Sequence, residues 1–458
     1  MRFYVRCLRR MGTLPLVLSC VLVYSLFLTW NCPSERQYNW IGWSSEGQTT
    51  THSPDIDWHL PGPLDTVTPV FETVHAFYYA WYNAPSNPPS SDRFWLHWNH
   101  RRLPWYIPSR TRGYPSGAHR PPNDIGANFY PSLGPYASQE VDVMRAHLRM
   151  ARFAGIGVLV LSWYPPSMAD ANGQPVDQLV LPLLNEALAY GIKICLHIEP
   201  YEGRTAQTVA NDVQYAYRRG YASHPAYYRL PPSGDSRTPL PVFFVYDSYT
   251  VDDKSWASIL RADGSFSIRG GRYNAYVVGL LMSLDDCSSF AQMGFDAGYT
   301  YFAGQATTYA SLPPNWPLLS NSCRQAGVHF YPSVGPGYDD LAVRPYNTHS
   351  TISRSDGKLY RDRFLQAVVS RPSGVGITSF NEWGEGTQIE PATRHERPIT
   401  LITSVPYSNY SPYSGDFYLR LTRRLVNFYA NSSVLPGEAY YRTNSKELER
   451  LNQLLTGS

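Results

Sequence analysis

Two glutamates, Glu382 and Glu385, stand in the run Ser379-Phe380-Asn381-Glu382-Trp383-Gly384-Glu385-Gly386-Thr387-Gln388-Ile389-Glu390. Paired carboxylates are what acid/base chemistry at a glycosidic bond requires, one group giving a proton to the departing oxygen while the other accepts one or attacks. Phe380 and Trp383 flank Glu382. Apolar neighbours strip water from a carboxyl, raise its pKa and let it donate a proton near neutrality, while the second carboxylate stays ionised. Strict strand alternation would set the two glutamates on opposite faces. Gly384 and Gly386 permit the helical turn that brings them to one side.

The apolar run Gly374-Val375-Gly376-Ile377-Thr378 immediately precedes this motif and reads as a buried strand. The glutamates therefore fall where a strand leaves its sheet, the place from which α/β barrels present catalytic groups. Eight segments read as strands: Thr73 to Trp81, Gly157 to Tyr164, Ile192 to Pro200, Val242 to Ser248, Ala275 to Met282, Ala297 to Ala303, Val328 to Val334 and Val375 to Phe380. Helical spacing of apolar residues marks Glu140 to Ala154, Val176 to Tyr190, Ala206 to Arg219 and Arg361 to Ser370 between them. This alternation predicts an α/β fold, a (β/α)8 TIM-type barrel. No Gly-x-Gly-x-x-Gly opens the first helix, which disfavours an open nucleotide-binding sheet. The first strand-to-helix connection is long, from Tyr82 to Ser138, and carries Phe94 to His100 and Trp105-Tyr106. Connections of that length are functional or disordered, and its rings argue against disorder. It reads as a lip over the site, with packing beneath the barrel rim as the alternative.

The ends of the other strands supply the remaining candidates: Tyr78, Tyr79, Trp81 and Tyr82, then Trp163 and Tyr164, His197 and Glu199, Tyr246 and Asp247, Tyr299 and Tyr301, and Tyr338, with Asn381 and Trp383 beside the glutamates. Carboxylates among tyrosines and tryptophans suit a carbohydrate cleft, since rings cover the apolar face of a sugar. His197 and Glu199 share one strand face and read equally as a structural ion pair. Asp247 reads as a helix cap or a site carboxylate. Trp163 and Tyr164 precede Pro165-Pro166 and shape a turn or line the cleft. His197-x-Glu199 lacks the partners of a metal site, no Ser sits in a Gly-x-Ser-x-Gly elbow, and neither metal nor cofactor is expected.

The chain has 458 residues and a net charge of +3, part of it in the first ten residues, so no broad basic face for nucleic acid is indicated. Arg2, Arg6, Arg9 and Arg10 precede an uncharged run from Met11 to Trp30, long enough to cross a bilayer with its positive side inside. Residues 1–10 thus read as a cytoplasmic tail, 11–30 as a transmembrane signal anchor, 31–70 as a flexible lumenal stem, 71–430 as the barrel and 431–458 as a C-terminal extension. A cleaved signal peptide is the rival reading of the apolar run. Of six cysteines only Cys195, Cys287 and Cys323 lie in the body, and their pairing is left open. Asn409 and Asn431 begin glycosylation sequons, consistent with a lumenal body.

The stretches His75 to Pro85, Leu161 to Pro166, His197 to Tyr201, Val245 to Tyr249, Gly294 to Phe302, Pro332 to Tyr338 and Ser379 to Glu390 resemble the glycoprotein endo-α-1,2-mannosidases, glycoside hydrolase family ninety-nine. That resemblance implies a (β/α)8 fold and a retaining, metal-independent cut at an internal α-1,2-mannosyl bond of glucosylated high-mannose N-glycans, releasing Glc-α-1,3-Man. It also implies a Golgi membrane protein of type II with a lumenal catalytic domain. Glu382 and Glu385 match the family's two glutamates. The first is implied to take the proton of the sugar 2-hydroxyl, which attacks its own anomeric carbon to give a 1,2-anhydro sugar. The second is implied to protonate the departing oxygen and then activate water. One position departs from the pattern: Gly384 stands where family members usually carry His. A glycan-binding paralogue without turnover and a Golgi glycosyltransferase are the alternatives.

Overall fold

The computed structural model describes residues 69–85, 95–100, 118–169, 176–232, 238–302, 308–347, 350–398 and 406–432. The expected tail, anchor, nearly all of the stem and most of the C-terminal extension lie outside them. Among the described residues no helix is long and apolar enough to cross a membrane.

Eight strands form the centre: β1 (Phe71–Tyr78), β2 (Ile156–Trp163), β3 (Lys193–Ile198), β4 (Leu240–Val245), β5 (Tyr276–Leu280), β6 (Ala297–Tyr299), β7 (His329–Tyr331 and Ser333–Val334) and β8 (Val375–Ile377). Each is followed by one helix: α1 (Val141–Ala154), α2 (Asp177–Tyr190), α3 (Ala206–Arg218), α4 (Asp253–Leu260), α5 (Asp286–Met293), α6 (Trp316–Ala326), α7 (Lys358–Val369) and α8 (Phe417–Ser432). All neighbouring barrel strands pair in parallel. The ring closes because β8 joins both β1, with Val74 opposite Val375, and β7, with Ser333 opposite Gly376. Pro332 has no N–H and splits β7, yet its carbonyl accepts the Gly376 N–H at 2.9 Å and keeps the seam shut. The expected (β/α)8 barrel is therefore the fold.

Why these segments form strands is plain in β2, Ile-Gly-Val-Leu-Val-Leu-Ser-Trp, where every residue is buried. A strand covered by side chains within the barrel and by helices outside needs a continuous apolar run, and each buried Val or Leu there contributes about 1.5–3 kcal/mol. Helix α1 turns into β2 at Gly155, whose φ of 79° lets its N–H reach back to the last turn of the helix. The barrel interior is unusually aromatic: Phe77 packs on His197, Phe244, Tyr299 and Tyr301 with centroid separations of 5.0–6.1 Å. Cys287 on α5 and Cys323 on α6 form a disulfide, while Cys195 is a buried free thiol.

In its described residues the first connection is packed, the second of the two readings offered for it. Trp98 is fully buried, stacks on Tyr82 at 4.3 Å and donates its indole N–H to the Tyr136 carbonyl at 2.7 Å. One residue earlier, His97 stacks on Trp81 at 4.3 Å and 6°, extending the rim. Trp105 and Tyr106 lie outside the described residues.

Candidate active site

The segment after β8 folds back on itself, and this fixes both glutamates. Ser379 holds the base of the loop: its N–H donates to the Thr387 carbonyl at 2.9 Å, and its hydroxyl accepts the Glu382 N–H at 2.7 Å. Between the glutamates the chain makes one tight turn, closed by Gly386 N–H to the Trp383 carbonyl at 3.2 Å. Gly386 takes φ 62°, and a Cβ there would stand 2.7 Å from the Asp339 carbonyl oxygen. The turn that the two glycines predict is present, and Gly386 is the residue that requires left-handed backbone.

Asn381 and Trp383 hold this turn and do not line a cleft. The Asn381 amide pairs with the Tyr79 backbone, accepting its N–H at 2.8 Å and donating to its carbonyl at 2.9 Å. Trp383 is fully buried and donates from its indole to Glu390 at 2.9 Å. Glu390 also accepts the Tyr136 hydroxyl at 2.8 Å and lies 3.2 Å from His147 Nε2, whose other nitrogen meets the Tyr78 hydroxyl at 2.9 Å. A buried carboxylate that satisfies an indole, a phenol and an imidazole is costly to disturb, so Glu390 acts as the anchor beneath the turn.

Glu382 is 6% exposed, and its Oε2 is buried without a hydrogen-bond partner. Burial raises its pKa well above the carboxylate range, and Glu385 adds to that. Burial also raises Glu385, but Arg344, whose Nη1 is 3.5 Å from Glu385 Oε1, opposes the rise. Glu385 keeps 22% of its side chain open to solvent. Of the two, Glu382 holds a proton more firmly in the free site, as its apolar flanks predict.

Around this pair the barrel interior supplies a ring of phenols and carboxylates. The Tyr79 hydroxyl hydrogen-bonds that of Tyr301. Burial first, and then the charges of Glu199 and Glu382, hold Tyr79 protonated. Trp81 packs 4.7 Å from Tyr79. His197 Nε2 meets the Tyr299 hydroxyl at 2.7 Å, and its Nδ1 lies 3.3 Å from Glu199, which also accepts the Ser162 hydroxyl at 2.7 Å. Asp247 makes no side-chain cap to the 3₁₀ turn that follows it, and its φ of 48° marks a strained strand end. Burial raises the Asp247 pKa, and Arg204 and His197 counter it. Tyr338 donates to Asp340 at 3.1 Å, and Asp340 in turn pairs with Arg344. Eight of the expected residues thus gather with the glutamates: Tyr79, Trp81, His197, Glu199, Asp247, Tyr299, Tyr301 and Tyr338.

Trp163 is a correction. It is fully buried, donates its indole N–H to Asp177 on α2 at 3.0 Å and stacks on Tyr215 of α3. Alternation explains this: Ser162 faces inward to Glu199, so the next residue faces the helices. Tyr164, just beyond β2, is half-buried. Tyr246, also read at a strand end, is a ninth expected residue at the site, and His97 comes from the first connection; the sequence reading missed Arg344. Tyr246 lies 5.2 Å from His197 and 5.0 Å from Tyr301. It shares the inward parity of Phe244, a signal present in the sequence. Arg344 follows Asp340 by four residues in the β7 to α7 connection, and only the fold brings it to Glu385. Among the described residues no cluster of three or more His, Cys, Asp or Glu could hold a metal ion. Asn409 and Asn431 are both exposed.

Residues 69–431 match the model of Glycosyl hydrolase family 99. The chain belongs to that family. A glycoprotein endo-alpha-1,2-mannosidase-like protein of Mus musculus is 43% identical over 365 residues, covering 80% of this chain and 78% of that protein. The glycoprotein endo-alpha-1,2-mannosidase of Rattus norvegicus is 42% identical over 372 residues, covering 81% and 78%. The solved GH99 endo-alpha-mannosidase of Bacteroides thetaiotaomicron is 36% identical, with a TM-score of 0.70 over 80% of this chain and all of that one. As a family 99 member the chain is a glycoside hydrolase.

Proposed function

We propose that this family 99 chain is a retaining endo-mannosidase that cuts an internal α-1,2-mannosyl bond of glucosylated high-mannose N-glycans and releases Glc-α-1,3-Man. The observation that carries the reading is the single tight turn at the end of β8, which presents Glu382 buried and Glu385 partly open beside Arg344. Retaining enzymes with a carboxylate nucleophile need it beneath the anomeric carbon, about 5 Å from the acid. Two glutamates on one turn suit another division of labour, with Glu382 at the sugar 2-hydroxyl and Glu385 at the departing oxygen.

In this scheme Glu382 takes the 2-hydroxyl proton, O2 attacks C1 and the C1–O bond to the leaving sugar breaks, while Glu385 protonates that oxygen. Glu385 then deprotonates water as it opens the 1,2-anhydro ring, and O2 recovers a proton from Glu382. The scheme requires Glu382 ionised and Glu385 protonated, the reverse of the free-site preference. Substrate supplies the shift: a sugar seated on Glu385 removes the water that now reaches it and raises its pKa. Once ionised, Glu382 is a stronger base because its pKa is high. The aromatic ring from Tyr79 to Tyr301 would seat the donor disaccharide. The reading also carries the location: an N-terminal anchor at residues 11–30 and a catalytic body in the Golgi lumen.

The test is mass spectrometry of products from a monoglucosylated high-mannose glycan incubated with the full chain without added metal. Release of Glc-α-1,3-Man that disappears in Glu385→Gln supports the assignment. Full activity in that variant sinks the role of Glu385, and binding of the disaccharide without any product moves the reading to a glycan-binding protein.

A further inference from the structure

We propose that a cavity of about 360 Å³ beside the catalytic turn is a second saccharide site, which holds a neutral hexose unit of the glycan away from the bond being cut. The inference rests on the glycan-hydrolase reading above for its ligand. Its volume falls within the range of small-ligand pockets, from about 300 Å³ upward. The walls come from strand-to-helix connections and the first turn of α8: Phe129 from the first, Tyr338, Asp339 and residues 351–356 from the seventh, and Gly386, residues 408–411, Tyr413, Phe417 and Tyr418 from the last. It therefore lies at the end of the barrel that carries Glu382 and Glu385. Tyr338, Asp339 and Gly386 form the shared wall, and the Asp339 N–H donates to the Glu385 carbonyl at 2.8 Å.

The lining has the chemistry of sugar recognition. Tyr413, half-buried, stacks on Phe417 at 4.1 Å and 13° and supplies an aromatic face. Asp356, Asn409 and Ser411 offer exposed polar groups around it. Behind them Arg354 packs over the rings of Phe129, Tyr410 and Tyr418 and ties the wall to the catalytic turn, donating to Gly386 and Gln388 carbonyls at 2.9 and 2.8 Å. Arg354 Nε and Nη1 and Thr351 Oγ1 are buried without a hydrogen-bond partner. The lining sets two carboxylates, Asp339 and Asp356, against the one cation of Arg354, so it has no excess positive charge and a neutral polyhydroxyl ligand fits better than an anion. Ser355 and Asp356 hold φ of 45° and 52° in succession, a strained rim of the kind found at ligand clamps.

A hexose here has two sources, a branch of the substrate or the chain's own sugar on Asn409, and we assign it to the substrate. Calorimetric titration of methyl α-mannoside into the full Glu385→Gln chain, with and without Tyr413→Ala, tests this. The expected result is a binding event that Tyr413→Ala abolishes and Tyr413→Phe, which keeps the ring face, retains. In the otherwise unaltered chain, Tyr413→Ala should lower kcat/KM for the whole glycan about five- to tenfold through KM, relative to a short glucosyl-mannosyl substrate. Identical isotherms with and without Tyr413 overturn the proposal. So does mannoside binding that appears only after Asn409→Gln in a chain found to carry sugar at Asn409. Tyr413-dependent binding in a chain that hydrolyses no glycan would remove the proposed function and leave the site in place.

Discussion

Arg344→Met removes the cation placed against Glu385, and its effect can be worked from the geometry. Its Nη1 stands 3.5 Å from Glu385 and 3.1 Å from Asp340. At an effective dielectric constant of about 20, a unit charge at that distance is worth about 5 kcal/mol. The guanidinium is 32% exposed and shared with Asp340, so screening and sharing reduce the net effect on Glu385 to about 1–2 kcal/mol, or about one pH unit. The sign is upward. Without the cation the ionised form of Glu385 is less favoured, and Asp340, no longer neutralised, repels it further. In a pH profile of kcat/KM the acid limb reports ionisation of the first carboxyl and the alkaline limb loss of the last proton, both properties of the pair. Both limbs should move up by about one unit in Arg344→Met and stay near their original places in Arg344→Lys, which keeps the charge. Asp340 keeps Tyr338 and Asn347 as donors, so the variant should fold, which thermal denaturation checks. Unmoved limbs in a folded Arg344→Met chain would refute the argument that Arg344 sets the proton balance.

Three further substitutions probe the supports of the site. Glu390→Gln puts an amide N–H₂ where both oxygens meet donors or an imidazole, and should cost about 2–4 kcal/mol by urea denaturation and lower kcat by loosening Trp383. Gly384→Ala places a Cβ 3.0 Å from Glu382 Oε1, so the carboxylate must move by a few tenths of an ångström. Steady-state kinetics should show a kcat loss of roughly tenfold with no change in thermal stability. Burial pushes the Asp212 carboxyl up to about 7 from 3.8, so between those values the folded chain keeps a proton that the unfolded chain has lost. Stability from this group is present below about pH 4 and is lost as pH rises through 7. Asp212→Asn, still able to accept from Tyr201, should flatten that slope, seen as a smaller difference between denaturation at pH 5 and pH 7, on the order of 2–4 kcal/mol.

What the sequence could and could not reveal follows from the range of each signal. The barrel was legible because each strand is a local apolar run, and even a three-residue strand such as Val375–Ile377 is bounded by Gly374 and the polar motif. The acid pair was legible because both members lie on one turn. Arg344 was not, since its meeting with Glu385 depends on the closure of β7 on β8, a contact that no local spacing encodes. Trp163 was misread for a different reason: position at a strand end was taken as sufficient, whereas parity decides which side of the barrel a residue faces. The inward set Phe77 and Tyr79, Ser162, His197 and Glu199, Phe244 and Tyr246, and Tyr299 and Tyr301 obeys one alternation, strand by strand. That alternation, run outward from His197-x-Glu199, keeps Tyr246 and excludes Trp163. Asn381 and Trp383 escape even this rule, because they lie beyond β8, where the chain turns back. Polar or aromatic residues packed so closely beside a catalytic pair are as readily the scaffold of the turn as its working surface, and only their hydrogen bonds to Tyr79 and Glu390 separate the two.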